Sequence, residues 1–502
     1  MQTSIGGIAR SHIVGQRITP NSSIAHVRLT HKPCKSAAVA SAVQTTPEDK
    51  WLARTVKEVA TPPSLAALRQ QSNSAIATLR MPSTRNEEYR FTDITPLLRT
   101  NVEPAPAHAE VPASLLARHT LPGAAVVAVV VDGALRPELS SGLGPQAGGA
   151  YVGPLEGAPA ALQAKLGSLS SSRGGPFAVL NGSMAPGALA VAVPQGVALP
   201  GPVYVLHVSS GSSSADSATL AAPRVLLHAG PGAEAELVEE YVGVGAPSAD
   251  NGSASAPAAG RAVTVSVSEL FLEEDSRVKH SYVQRESAGS FHFKGTLVSQ
   301  GARSAYTVVE SSTGADIARH DLSILQDGPE TSTEMSHFLL CGPSQLHDLH
   351  SRLTLDHPRG TANQLHKCIV SHSSGKGVFD GNVKVNRAAQ QSDAGQLSRN
   401  LLLVPLATVN VKPNLQAGGI VADDVKCTHG CAVSDLRDDE LFYFRARGIS
   451  AESARQALVF SFGSEVVQRM RHPALQQRVQ EDVSRTLRSV DQFAAAAAAA
   501  AQ

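Results

Sequence analysis

The chain has 502 residues, room for two to four domains or one elongated domain at roughly 100–200 residues each. Lys+Arg 43 balance Asp+Glu 43, so no net charge draws the molecule to nucleic acid or to an anionic membrane. Apolar residues make up 42% but aromatics only 4%, so the core is built from Val, Leu, Ile and Ala; no apolar run reaches the roughly 18 residues of a membrane span, and five scattered cysteines point to a reducing compartment rather than a disulfide framework.

Residues 1–47 hold no Asp or Glu, while Arg10, Arg17, Arg28, Lys32 and Lys35 are spread among Ser, Thr, Ala and Gly. That is transit-peptide composition, and the excess of Ser and Thr favours a plastid over a mitochondrion; a disordered basic tail is the plainer alternative. Cleavage before Glu48 would also remove Cys34. Thr46-Pro47-Glu48-Asp49 then reads as a helix start, with cap, Pro at the first position and acids at the positive dipole end, opening a helix through about Ala60. Ser64 reads as the cap of a second helix, whose apolar face is Leu65, Leu68, Ile76 and Leu79 and which ends before Pro82. Four prolines between Val102 and Pro122 suggest a linker.

Beyond the linker the apolar period becomes two. Short β-like runs at 126–131, 203–208, 225–227, 263–267, 291–293, 306–309, 338–340, 353–355, 368–370, 383–385 and 401–404 are separated by Gly, Ser, Asn and Asp. From Val263 onward their spacing of roughly 10–20 residues, with no convincing helix between them, fits neither hairpins nor βαβ units. A coiled β-solenoid fits, because each turn exposes apolar faces that only the next can cover; a β-sandwich is the alternative. Residues 209–217 and 243–260, poor in large apolar groups, read as mobile loops. Helices return with Asp438-Asp439-Glu440 opening a segment that stops at Gly448, Ser450 capping a second, and Pro473 opening a third. The expected organisation is a transit peptide over 1–47, a helical region and linker over 48–120, the β-solenoid over 121–434, a helical subdomain over 435–493 and a poly-Ala tail over 494–502.

Cys427-Thr428-His429-Gly430-Cys431 is the sharpest local feature. On an extended strand alternate residues share a face, so Cys427, His429 and Cys431 would present three soft donors together; a turn at Gly430 would instead take Cys431 off that face. A closed zinc site wants four ligands and usually a Cys-x-x-Cys knuckle, so this set is incomplete alone. Buried structural cysteines with a hydrogen-bonded His are the plain alternative. His347, His350, His357 and His366 with Asp348 and Asp356 form a second cluster, but the separations 347/350 and 350/357 are odd, so on strands those pairs face opposite ways. Solvated turns are the expected setting for that cluster. Ser373-Ser374-Gly375-Lys376-Gly377 lacks the leading Gly and following Ser/Thr of a phosphate loop, and no nucleophile elbow, His-Glu-x-x-His or dinucleotide fingerprint occurs.

Several segments occur in an order that resembles the SufB/SufD family. They are Val378-Phe379-Asp380-Gly381-Asn382-Val383-Lys384-Val385, Ala388-Ala389-Gln390, Asn400-Leu401-Leu402-Leu403, Lys412-Pro413, Ala422-Asp423-Asp424-Val425-Lys426-Cys427-Thr428-His429-Gly430, and Leu441-Phe442-Tyr443-Phe444-Arg445-Ala446-Arg447-Gly448-Ile449. Upstream, Arg85-Asn86-Glu87-Glu88-Tyr89-Arg90-Phe91-Thr92-Asp93-Ile94 is similar to the family's N-terminal motif, with Tyr89 where Trp is usual; Asp356-His357 and His366-Lys367 also fit. Matching covers about residues 260–470, and the Cys-Thr-His-Gly segment is SufD-like. The resemblance implies a right-handed parallel β-helix flanked by N-terminal and C-terminal α-helical regions. It further implies a non-enzymatic scaffold of the SUF iron–sulfur assembly machine in the chloroplast stroma, paired with a SufB-like subunit and bound to a SufC-like ATPase through the C-terminal helices. His429 and Cys427 are then the candidate site for a transient iron–sulfur cluster shared across the SufB interface, with no intrinsic ATP site and flavin involvement left open. Two departures stand out: the link 415–421 is longer than the family's, which puts strand register there in question, and Cys431 replaces a common Ala. The rival reading is a β-helical carbohydrate-active enzyme with Asp356 and Asp380 in a groove, against which stands the scarcity of aromatic sugar platforms.

Overall fold

The computed structural model describes residues 49–500 apart from 107, 213, 215, 245–259, 418–423 and 437. The acid-free segment 1–47, most of the Ser/Gly stretch 243–260 and the lengthened link at Gly418-Gly419 lie outside the described residues. From Leu189 the chain coils as a parallel β-helix with two strands in each circuit. Alternate strands join alternate sheets. Sheet A runs through Phe291–Gln300, Ile317–Gln326, Leu346–Leu355 and Lys376–Val385 to Thr408–Ala417. Sheet B runs through Ala305–Ser312, Ser332–Cys341, Thr361–Val370 and Asp393–Leu402 to Lys426–Ser434. Each circuit takes roughly 30 residues, within the range of solenoid repeats.

Only half of each strand is apolar inside the coil. Val278, Val298, Val308, Leu322, Ile324, Met335, Leu353 and Val383 pack between the sheets. Further along the same strands inward side chains are polar and several are paired: Lys294 Nζ donates to both oxygens of Glu239 at 2.9 Å, and His280 and His207 bond the same carboxylate at 3.0 and 3.2 Å. Burial alone would raise the pKa of Glu239, but Lys294 and the two imidazoles hold it well below the usual carboxylate range. This polar interior masked strands Glu234–Gly243, Arg277–Arg285, Ile317–Gln326, Thr408–Ala417 and Lys426–Ser434, which carry no long apolar run. The corners are sharp because single residues turn in the left-handed region. Asp275, Arg303, Glu330, Arg359 and Gln391 all have φ between 55° and 60°, and Arg303 pairs with Asp275 at 2.8 Å and Arg359 with Glu330 at 2.6 Å.

Several local expectations need correction. The first helix is Lys50–Thr55, shorter than expected, and its cap is Asp49, whose carboxylate accepts from Trp51 N and Leu52 N at 3.0 and 3.1 Å and from Met81 N at 2.9 Å. Ser64 caps nothing; it lies in a 3-10 turn and its hydroxyl donates to Glu156 at 2.5 Å. The proline-rich stretch is not a bare linker. Strand Asn101–Pro104 pairs with Ser217–Ala221, and Ala113–Arg118 is helical. Before the coil settles, the short helices Ala160–Gln163, Ser168–Arg173 and Pro176–Met184 interrupt the strands, and their apolar spacing was too short to announce them. The 85–94 motif clasps the outer face of sheet A: Tyr89 is buried beneath the Arg319 guanidinium at 4.0 Å, Thr92 donates to Asp348, and Lys412 pairs with Glu87 at 2.6 Å.

At the C-terminus, Asp438–Arg445, Ala451–Val467 and Pro473–Ala500 are helical, and Ser450 caps the second by accepting from Ser453 N at 3.1 Å. Val459, Val466, Leu475, Val479 and Val483 pack with Phe338, Leu340 and Ile369 on the outer face of sheet B. Among the described residues no helix is long and apolar enough to cross a membrane.

Candidate functional site

Strand Lys426–Ser434 pairs with Asp393–Leu402 in unbroken parallel register, so the longer link before it does not shift the strand. It is the end strand of sheet B, and past it no described strand adds another coil. Register places its residues on ladders that run down the inside of the sheet. Cys427 tops Ala362 and Ala394, His429 tops Gln364 and Gln396, and Cys431 tops His337, His366 and Ser398. Gly430 therefore continues the strand, and the three donors do share one face. Cys427 is half-buried against the apolar interior, whereas His429 and Cys431 are exposed. Burial pushes both thiols up from the ordinary range, with the charge of Asp393 adding to the effect at Cys427, so a metal arriving there would displace thiol protons. Alternate positions on a strand lie roughly 6.5 Å apart, too far for one ion to bridge all three. Among the described residues no group of three His, Cys, Asp or Glu side chains is arranged to hold a metal ion. What the strand offers is an open row of soft donors on an unpaired edge.

The second cluster is dispersed. His347 faces into the coil, Asp348 and His350 face out from the same strand and lie as a charge pair at 3.1 Å, His366 belongs to the opposite sheet, and His357 sits at an exposed corner. The expectation of solvated turns fails for His347, His350 and His366, all buried because their strands are interior to the sheets. His366 stacks on Phe379 at 4.2 Å, and burial with His337 nearby lowers its pKa to about 3. Asp356 accepts from Asn386 and Asp380 pairs with Lys412 at 3.6 Å, each carboxylate occupied by a structural partner.

One chemically distinctive group was not singled out from sequence. Cys341 and Cys368, from neighbouring strands, lie beside His347 at a coil corner, completely buried. Burial opposes ionisation of Cys341, but Cys368 and the imidazole of His347 hold its pKa below the usual thiol range, and the charge of Cys341 raises that of His347. Their positions, 27 residues apart on adjacent strands, meet only through the coil register.

Comparison with known proteins follows the same course as the geometry. The SUF system FeS cluster assembly SufBD core domain matches residues 210–462. The chain is 41% identical over 409 residues to Protein ABCI7, chloroplastic, of Arabidopsis thaliana, covering 81% of this chain and 82% of the relative. It is 32% identical over 419 residues to an iron–sulfur cluster assembly SufBD family protein of Synechocystis, covering 83% and 90%. To the iron–sulfur cluster assembly protein SufD of Escherichia coli it is 28% identical over 334 residues, covering 64% and 70%. With the parallel β-helix, the flanking helices and the Cys-Thr-His-Gly strand at the coil's end, these similarities place the chain in the SufBD family of SUF iron–sulfur cluster assembly proteins.

Proposed function

We propose that the chain is the SufD-type scaffold subunit of a plastid SUF complex, and that its open β-helix end pairs with a SufB-type subunit to complete a site for the nascent cluster. The observation that carries this reading is the end strand Lys426–Ser434, which presents His429, Cys431 and half-buried Cys427 on one face beside an unpaired edge. A solenoid end leaves N–H and C=O groups and apolar side chains uncovered, here Val433 and Leu397, and calls for a cap. A second β-helix end supplies both the cap and the missing donors. Neutral imidazole and thiolate suit iron, and a half-site on each chain lets the cluster form only in the assembled complex and leave it afterwards.

Helix Asp438–Arg445 follows directly and exposes Phe442 and Tyr443, with Ile449 beyond it, a surface suited to a SufC-type ATPase. This chain then acts as a scaffold and receives the nucleotide-driven motion. The chloroplastic name of the Arabidopsis relative and the acid-free residues 1–47 support residence in the plastid stroma.

The deciding experiment is cluster reconstitution with iron, a sulfur donor and ATP on the assembled complex. His429→Ala is expected to leave assembly intact, since one side chain is a small part of the interface, and to reduce cluster yield. Cys427→Ser gives a milder loss if the thiol only supports the site and a comparable one if it binds iron. Wild-type yield in an assembled His429→Ala complex rejects the assignment, and failure to assemble marks His429 as an interface residue instead.

A further inference from the structure

We infer that Gln396 is the positioning partner of His429, accepting a ring N–H on its amide oxygen and so fixing which nitrogen is left to bind a metal. Gln364, Gln396 and His429 occupy successive rungs of one inward-facing ladder, and such rungs are about 4.8 Å apart. The amides are oriented from below: Gln396 Nε2 donates to Gln364 Oε1 at 2.9 Å, and Gln364 Nε2 donates to Ser351 Oγ on the facing sheet at 2.8 Å. With its NH2 group turned back into the coil, Gln396 keeps Oε1 for the next rung, which is His429. That oxygen is buried without a hydrogen-bond partner, in a residue only 4% exposed. A buried acceptor in this condition is unfavourable and calls for a donor.

The space for the amide is built by the motif Phe379-Asp380-Gly381-Asn382, for which the cluster reading alone has no use. A Cβ on Gly381 would stand 2.3 Å from Gln396 Nε2, so any larger residue there would displace the amide. Neutral imidazole has one N–H; given to Gln396, it leaves the other nitrogen's lone pair directed out of the coil, as metal-binding histidines require. The metal role rests on the proposed function above, but the tautomer does not.

The test is imidazole nitrogen NMR on the full chain labelled with 15N-histidine, the His429 signals identified by their loss in His429→Gln. Wild type is expected to show one neutral tautomer, Gln396→Met an averaged pair, and Gln396→Glu, which keeps an acceptor oxygen, one tautomer again. A mixture in wild type, no change in Gln396→Met, or no recovery in Gln396→Glu overturns the assignment. Ferrous iron binding by the assembled complex is read separately, and Gln396→Met is expected to weaken it about 10–100-fold. Unchanged iron binding with an altered tautomer leaves Gln396 as the partner of His429 and rejects the metal role.

Discussion

Glu240, completely buried on the outer face of sheet B, is held by two guanidinium nitrogens of Arg478 in the last helix, at 3.0 and 2.9 Å. Arg285 adds a third contact to the same carboxylate at 3.2 Å and turns its other nitrogens to Asp482 at 2.6 and 3.0 Å. The C-terminal helices are thus riveted to the β-helix by buried charge as well as by apolar packing, while helix Asp438–Arg445 exposes Phe442 and Tyr443.

Glu240→Ala is expected to strip Arg478 and Arg285 of a buried counter-charge and to cost about 3–5 kcal/mol, the usual penalty for breaking one side of a buried pair. Urea unfolding measures the loss. Trypsin should cut first in Pro473–Ala500, and a variant as stable and resistant as wild type would show that apolar packing alone holds the helix.

Removing the whole C-terminal region would uncover sheet B, so the ATPase surface is better tested by point changes. Phe442→Asp with Tyr443→Asp is expected to abolish co-purification of the SufC-type ATPase while the SufB-type subunit and thermal stability are retained, because both rings are exposed. Retained ATPase binding would move the docking face elsewhere.

His366 contributes a defined acid sensitivity. Its pKa is about 3 in the folded chain, below that of a free imidazole, so on acidification the unfolded chain takes up the proton first. The stability contribution is present above the ordinary imidazole pKa and is lost as pH falls below it, by about 2 kcal/mol between about pH 7 and about pH 5. Guanidinium unfolding at the two pH values should show a smaller difference for His366→Leu than for wild type. Equal differences would mean that folding does not shift the pKa of His366.

Leu406 turns a corner with φ of 66° while 85% exposed, a conformation unfavourable for a leucine. Leu406→Asn should stabilise the chain by about 0.5–1 kcal/mol and Leu406→Val should destabilise it, both read as shifts in the thermal midpoint.

Much of the architecture was legible locally. The β-like runs at 291–293, 306–309 and 383–385 all fall in strands, the Ser450 cap and the Pro473 helix start stand where their residue types put them, and ordered motifs identified the family. These features depend on residues close in sequence, where propensity, capping and period act directly. The strands through Glu239, His280 and His320 were illegible because their inward positions are polar, and a buried Glu looks like an exposed one until its Lys294 is in place.

The sequence by itself determined which donors exist, and the alternation in Cys427, His429 and Cys431 put them on one face once the segment was a strand. Tertiary structure decided that Gly430 continues that strand, that the strand ends the coil, and that Gln396, Gly381 and the Cys341–His347 pair stand where they do. The reason is coil register: in a parallel solenoid, neighbours across a sheet are a whole circuit apart in the chain, and their meeting is fixed by the length of every corner between them.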